Sequence, residues 1–473
     1  MVDRHLSAVQ LARLLRVPPG ARPYYEALAG AVRALVLDGR LPVGVRLPPE
    51  RLLAAEMGVS RTTVTAAYDR LREQGYLESR QGSGSRAALP DPAALGADNP
   101  WAAPDGDGLL PLHTAAPAAT PVLSRAIEEA GRDYHRYTLG MGYHPAGLPA
   151  LREAVARRYG ERGLPTRPEQ IFVTAGAQHA LHLLLFLLAA PGDPVLLDSP
   201  TFPHAIDSAR LRGTRLVPVG MPEDGWHIDL VAAAMRQSEA RVAYVIPDFH
   251  NPTGHLMSRD DRAALTAAAR RSGTTLIADE TWAETEIDGE VPPPLASFDR
   301  TVISIGSASK LWWGGLRVGW VRGTAALAGR LAALRASVDI ATSVLEQLVV
   351  ARLFEQVEQA RQERRRALDA SRATLTAALR EEFPQWSFRV PSGGGSLWVR
   401  LGSSGATDVA AAAAERGVRL APGPWFGVDG TLENYLRIPF TQPPQVLREA
   451  VRRIAASSVP YGYRPGQPLT PAL

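Results

Sequence analysis

Of the 52 basic side chains in this 473-residue chain, 51 are arginine, and the single lysine is Lys310. A chain so biased towards guanidinium keeps an amine where guanidinium cannot replace it. The plain case is an amine that must lose its proton and attack a carbonyl, because arginine stays protonated. Lys310 stands in Ser307-Ala308-Ser309-Lys310-Leu311-Trp312-Trp313-Gly314-Gly315-Leu316-Arg317, just after an apolar run that reads as a strand. Asp279 closes another such run, Leu276-Ile277-Ala278-Asp279, and Asn251-Pro252-Thr253-Gly254 follows a third. Three strand ends thus offer an amine, a carboxylate and an amide, and Ser307 and Arg317 suit a phosphate group. That set is what pyridoxal phosphate requires. Singly, Asp279 could cap a turn, Asn251 could sit in an Asx-turn and Arg317 could be a surface charge. Their order, with the only lysine among them, argues for one site.

These residues need a scaffold. From about residue 110, helices alternate with short apolar strands at 171–173, 194–197, 242–246, 275–278, 302–305 and 319–321. This pattern predicts an α/β domain with a mainly parallel sheet, whose strand ends gather ligands. The longest apolar run, 180–190, contains His182 and is short enough to be a buried helix.

The first ninety residues read differently. A helix over 24–37 carries Leu28, Val32, Leu35 and Val36 on one side and stops at Asp38-Gly39. Leu47-Pro48-Pro49-Glu50-Arg51 opens a short helix to Met57, Gly58 turns the chain, and Ser60 caps a second helix to about Gln74. Residues 75–84 read as a strand and a glycine-tipped wing. Arg51, Ser60, Arg61, Thr62, Thr63 and Thr65, with Gln81 and Gly82 in the wing, are the expected contacts to double-stranded DNA. The plainer account makes Ser60 a simple N-cap and the threonines exposed filler. Between 86 and 110, 18 of 25 residues are Ala, Pro, Gly or Asp, which predicts an extended, poorly packed linker. The expected division is a head at 20–88, a linker at 89–110 and a body at 111–457.

Charge follows the same division. Residues 1–90 hold 13 Arg against 8 Asp and Glu, a net of +5, while the whole chain is +4, so residues 91–473 sum to −1. The basic excess sits where a polyanion would be met. With no cysteine, disulfide scaffolds, zinc–thiolate sites, iron–sulfur centres and thiol catalysis are excluded. Met1 to Gln10 lack the apolar core of a signal peptide, and no run reaches 18 uncharged apolar residues, so a cytoplasmic protein without a membrane partner is expected.

The string LPPERLLAAEMGVSRTTVTAAYDRLREQGYLESRQGSGS closely resembles the winged helix of GntR-type regulators over about 65 residues. Residues from about 110 to 455 resemble fold-type I aminotransferases, pyridoxal-phosphate-dependent transferases with a mainly parallel sheet and a smaller C-terminal α/β subdomain. Together they resemble MocR/GabR-type transcriptional regulators. The resemblance implies that Lys310 forms the Schiff base, Asp279 partners the pyridine nitrogen and Asn251 bonds the ring hydroxyl. It implies that Ala177 and Gln178 open a helix whose N–H groups take the phosphate, with Ser307 and Arg317 completing the cup. Phe202, in Ser199-Pro200-Thr201-Phe202-Pro203, would stack on the ring. Tyr137 would reach the phosphate of a neighbouring subunit, which implies a homodimer. Arg437 would grip the carboxylate of an effector in a bidentate pair.

One position departs from the family pattern. Three residues after the aspartate the family usually has Tyr, and here stands Trp282. An indole donates but cannot accept, so Trp282 leaves cofactor binding to Asn251 and disfavours efficient transamination. The expected function is a DNA-binding regulator that senses pyridoxal phosphate, or an amino compound through it, with any transamination residual. The alternative is a genuine aminotransferase with a DNA-binding appendage, against which the winged helix argues. A third, a binding protein without Schiff-base chemistry, is opposed by the placement of the sole lysine. A dimer with two heads on long linkers further implies an operator with two half-sites.

Overall fold

A computed structural model describes residues 5–15, 17, 22–80, 84–88, 108–402 and 405–457. The expected contacts Gln81 and Gly82, and residues 89–107 of the expected linker, lie outside the described residues.

The head contains α1 (Ala8–Leu14), α2 (Tyr24–Leu37), α3 (Glu50–Met57) and α4 (Arg61–Glu73), then β1 (Leu77–Arg80) paired antiparallel with β2 (Gly84–Ala87). Pro48 and Pro49 lead into α3, and Gly58, at φ 67, takes the left-handed turn that ends it. Leu28, Val32, Leu53, Val64 and Leu71 close one core, and Leu11 and Leu14 of α1 join it from upstream. Helix, tight turn, helix and two-stranded wing follow the sequence pattern.

The body holds two lobes. Its elements begin with β3 (Leu110–Leu112), α5 (Val122–Tyr134), α6 (Pro149–Glu161), β4 (Ile171–Thr174) and α7 (Ala177–Leu188). Next come β5 (Pro194–Ser199), β6 (Arg215–Gly220), β7 (Val242–Val245), β8 (Thr275–Asp279), β9 (Ile303–Ser307) and β10 (Gly319–Arg322). β11 (Ser387–Phe388), β12 (Ser396–Arg400), β13 (Val418–Pro422) and β14 (Tyr435–Pro439) complete it. The large lobe is built on a seven-stranded sheet in the order β4-β10-β9-β8-β7-β5-β6. The strands from β9 to β6 run parallel, and β10 is antiparallel to both its neighbours. Helices cover both faces, so β7 and β9 are buried at every position, and β7 reads as an unbroken apolar run.

The small lobe carries a five-stranded sheet, β11-β12-β14-β13-β3, in which only β13 and β3 pair in parallel. The helix Val357–Glu382 ties the lobes together. Val357 and Ala360 lie in the large lobe's core, and Leu368, Leu375 and Leu379 in the small lobe's.

The sequence predicts a head hung loosely from the body, but the head is seated on it. The Leu37 carbonyl accepts from Leu432 N (2.7 Å), and Asn434 Nδ2 donates to Asp38 Oδ1 (3.1 Å). Arg400 lies 3.5 Å from Asp38 Oδ2. On the other side, a Cβ on Gly39 would sit 3.4 Å from Ser199 Oγ, and one on Gly220 would strike the Arg40 carbonyl at 2.5 Å. The turn 37–40 therefore touches the small lobe and the ends of two large-lobe strands at once.

Candidate cofactor site and nucleic-acid interface

Where β7, β8 and β9 end and α7 begins, a cleft of about 360 Å³ opens. Lys310, Asp279, Asn251, Ala177, Gln178, Phe202, Trp282, Ser307, Arg317 and Arg437 all line it. Residues spread over 260 positions of sequence thus meet because parallel strands end on one edge and β14 brings Arg437 across from the small lobe.

Lys310 Nζ donates to the Ala115 carbonyl (2.7 Å) and lies 4.9 Å from the centre of the Trp282 ring. Loss of water, and then the nearby Arg437 charge, push its pKa down to about 8, against the opposing pull of Asp279. An amine there is within reach of its nucleophilic, neutral form at ordinary pH.

Asp279 ends β8 with both oxygens held. Oδ1 accepts from Thr281 N (2.9 Å) and Oδ2 from the Tyr244 hydroxyl (2.6 Å). Sequence reasoning missed Tyr244 because it lies inside the apolar run of β7. The available signal was register, since Tyr244 pairs with Ile277, two residues before Asp279 and on the same face.

One end of the cleft is set by the turn before α7. Gly176 (φ 96) precedes α7, whose first two residues, Ala177 and Gln178, line the cleft with the helix N-terminus. A Cβ on Gly319 would lie 2.6 Å from the Gly176 carbonyl carbon, so only glycine lets β10 approach this turn. Arg317, in the left-handed region at φ 49, donates to the Ala175 carbonyl (3.1 Å). Ser307 Oγ bonds Ser309 Oγ (2.9 Å), a second hydroxyl lining the cleft that the sequence reading passed over. Helix N-terminus, glycine cradle, hydroxyls and guanidinium fit an anionic group, with the amine and carboxylate set beyond it. The Gln178 side chain donates to Ser208 Oγ (2.7 Å).

Arg437 is buried, and loss of water lowers its pKa. Its guanidinium donates to the His113 carbonyl and to Asn251 Oδ1 (3.5 Å), and it lies 5.1 Å from the Phe426 ring centre. It therefore bridges the lobes. Phe202 presents its ring beside His204, another lining residue not foreseen, with centroids 5.2 Å apart. Trp282 is buried, and a Cβ on Gly395 would collide with the indole at 2.2 Å. The indole fits where the family has Tyr because Gly395 leaves it room.

Tyr137 is not brought to this cleft. It follows α5, packs on the large-lobe core and meets His144 edge-on at 6.1 Å. Beside it, Leu139, Met141 and Tyr143 are 90, 88 and 64% exposed.

On the head, Arg51, Ser60, Arg61 and Thr62 are exposed, and Thr63 is half-buried. Ser60 Oγ accepts from Thr63 N (3.1 Å), so it serves as the N-cap of α4. Thr65 is half-buried like Thr63, and its hydroxyl donates to Glu50 Oε2 of α3 (2.7 Å). Arg72, unforeseen, ties α4 to both wing strands through Ser79 (2.8 Å) and Ser85 (3.1 Å). Among the described residues no helix is long and apolar enough to cross a membrane, and no cluster could hold a metal ion.

Comparison with known proteins agrees with both halves. Residues 106–454 match the aminotransferase class I and II family, and residues 24–86 match the gntR family of bacterial regulatory proteins. The uncharacterized HTH-type transcriptional regulator YisV of Bacillus subtilis is 27% identical, over 80% of this chain and 84% of its own. The probable rhizopine catabolism regulatory protein MocR of Rhizobium meliloti is 31% identical, over 63% of this chain and 65% of its own. The 2-aminoadipate transaminase of Thermus thermophilus is 31% identical, over 73% of this chain and 86% of its own. Among solved structures, the α-aminoadipate aminotransferase LysN of Thermus thermophilus, complexed with N-(5'-phosphopyridoxyl)-L-leucine, superposes with a TM-score of 0.69 at 28% identity. That match covers 74% of this chain and 92% of the other. The chain belongs to the class I and II aminotransferase family, with a cleft of the pyridoxal-phosphate type, and carries the DNA-binding winged helix of GntR regulators in the manner of MocR.

Proposed function

We propose that this protein is a cytoplasmic, homodimeric transcriptional regulator that holds pyridoxal phosphate through Lys310 and senses a carboxylate-bearing amine, or the cofactor itself. The observation that carries the reading is the sole lysine, its pKa near 8, in a cleft that also presents Asp279 and an anion cradle. When bound, pyridoxal phosphate supplies an aldehyde that condenses with amines and a ring that withdraws electrons. The chain's own residues do the rest. Lys310 would offer the amine, Asp279 would partner the ring nitrogen and Asn251 the ring hydroxyl. Phe202 would stack on the ring, with Trp282 at the position beside the ring hydroxyl, and Ala177, Gln178, Ser307 and Arg317 would hold the phosphate. Arg437 takes the effector's carboxylate.

Arg437 reaches from the small lobe towards Asn251 on the large one, so a ligand held by both fixes the angle between lobes. The turn 37–40 is seated on both lobes, and Leu432 and Asn434 lead directly into β14, which carries Arg437. This arrangement supports a head whose seat changes when ligand binds. The exposed apolar segment Leu139, Met141 and Tyr143 supports a second copy covering it, with Tyr137 reaching that copy's phosphate. Two heads per dimer then favour an operator with two half-sites. We take 20–88, with the upstream helix α1 packed against it, as the head, 89–110 as the linker, whose last residue opens β3, and 111–457 as the body.

A genuine aminotransferase remains the second reading, favoured by the 31% identity to a transaminase. One titration separates the two. Purified protein with bound cofactor is followed by absorbance as candidate amino acids are added, and the same mixtures are run against promoter DNA. A regulator shows a spectral change that alters DNA affinity without catalytic turnover. Sustained keto-acid production with unaltered DNA affinity would overturn the proposal.

A further inference from the structure

We infer that Tyr244 is the positioning residue that fixes Asp279 as the acceptor for the cofactor's ring nitrogen. The inference rests on the proposed placement of pyridoxal phosphate in the cleft and adds a residue to it. Tyr244 is fully buried on β7, and its phenol donates to Asp279 Oδ2 at 2.6 Å. Thr281 N holds the other oxygen at 2.9 Å. A carboxylate oxygen has two lone pairs, so one donor on each oxygen fixes the plane of the group and leaves a lone pair for the cleft. Loss of water, with Asp279 and then Asp198 close by, holds the phenol protonated far above its usual range. Tyr244 is therefore a donor at every working pH, and Asp279 cannot rotate without breaking a buried bond.

Removing the hydroxyl leaves Oδ2 buried without its donor. The carboxylate then gains the freedom to turn, which weakens its hold on a ring N–H. A residue that merely fills space would affect every ligand alike. A residue that acts through Asp279 affects only ligands with a ring nitrogen.

The test uses the full chain freed of cofactor and titrated with two ligands. These are pyridoxal phosphate and its carbocyclic analogue, in which C–H replaces the ring nitrogen. Tyr244→Phe keeps the ring and the packing. It is expected to weaken pyridoxal phosphate about tenfold, the loss of one hydrogen bond to a charged group, and to leave the analogue's affinity unmoved. Equal weakening of both ligands would show that Tyr244 only packs, and no weakening of either would show that the bond does not matter. Both results overturn the inference. Asp279→Asn separates this failure from a deeper one. If Asp279→Asn weakens pyridoxal phosphate and Tyr244→Phe does not, Tyr244 alone is misassigned. If neither does, the placement of the ring nitrogen is wrong.

Discussion

Cofactor capture by the cofactor-free protein is expected to switch on with rising pH around a midpoint near 8, the pKa to which the cleft brings Lys310. The magnitude follows from the shift. At about pH 7.5 an amine of pKa 10.5 is about 0.1% neutral, whereas one near 8 is about one quarter neutral, a gain of a few hundredfold in nucleophile. Loss of water is the larger cause and Arg437 the next. Arg437→Met should therefore raise the midpoint yet leave it well below 10.5, and Asp279→Asn, which removes the opposing charge, should lower it. The assay is stopped-flow absorbance across pH, with Lys310→Ala as the blank. Ratios of variant to wild type cancel the ionisation of the cofactor itself. The sign for stability is also fixed. Lys310 has a depressed pKa when folded, so between pH 8 and 10.5 the unfolded chain binds more protons, and stability rises with pH through that window. Below it, the burial costs on the order of 3 kcal/mol. A wild-type midpoint above about pH 10, or an Arg437→Met midpoint lower than wild type, would refute the reasoning.

Borohydride should fix cofactor to the wild-type chain but not to Lys310→Ala, which keeps its fold, because no other lysine exists; retained label in the variant would contradict the assignment. The pair Arg51→Ala and Arg61→Ala should weaken operator binding without moving cofactor absorbance, by about 1–3 kcal/mol for each arginine that bonds a base edge, and an unaltered gel shift would displace the recognition surface. Sedimentation should show a dimer that Leu139→Glu with Met141→Glu converts to monomer, since charge on an apolar face that a partner must cover opposes association; a monomeric wild type would remove Tyr137 from any shared site.

Much of the site was legible because its chemistry stands at the ends of apolar runs. Lys310, Asp279, Asn251, Ser307 and Arg317 interrupt hydrophobic stretches with groups that core packing does not ask for. Tyr244 was illegible for the opposite reason. Its polar tip is hidden in a strand that burial on both faces makes uniformly apolar, and only the register against β8 reveals the partner. Strand direction is likewise absent from a short apolar run, so antiparallel β10 read like its parallel neighbours. The docking of the head was invisible for want of any local signature. Leu37 and Asp38 are about 400 residues from Leu432 and Asn434, and neither side has a composition that announces the other.

That docking makes one consequence quantitative. The turn 37–40 and a ligand spanning Lys310 and Arg437 both bridge the same pair of lobes, so each biases the angle the other requires. Linkage then obliges operator DNA, if it draws the head from its seat, to change effector affinity by the factor by which effector changes DNA affinity. The lever is Asp38. It is 5% exposed, its pKa is raised first by loss of water, and its partners on the body are Asn434 and Arg400. Asp38→Ala strips a part-buried bond from Asn434 at a cost of about 1 kcal/mol to the docked state. It touches neither the cleft nor α4. The variant should bind cofactor and operator, with the two factors equal to each other and both nearer to one than in the wild type. Calorimetric titration of effector with and without saturating operator measures one factor, and operator titration with and without effector measures the other. Wild-type factors that both equal one would show that the seat of the head carries no signal. Full coupling in Asp38→Ala would show that the signal travels by another route.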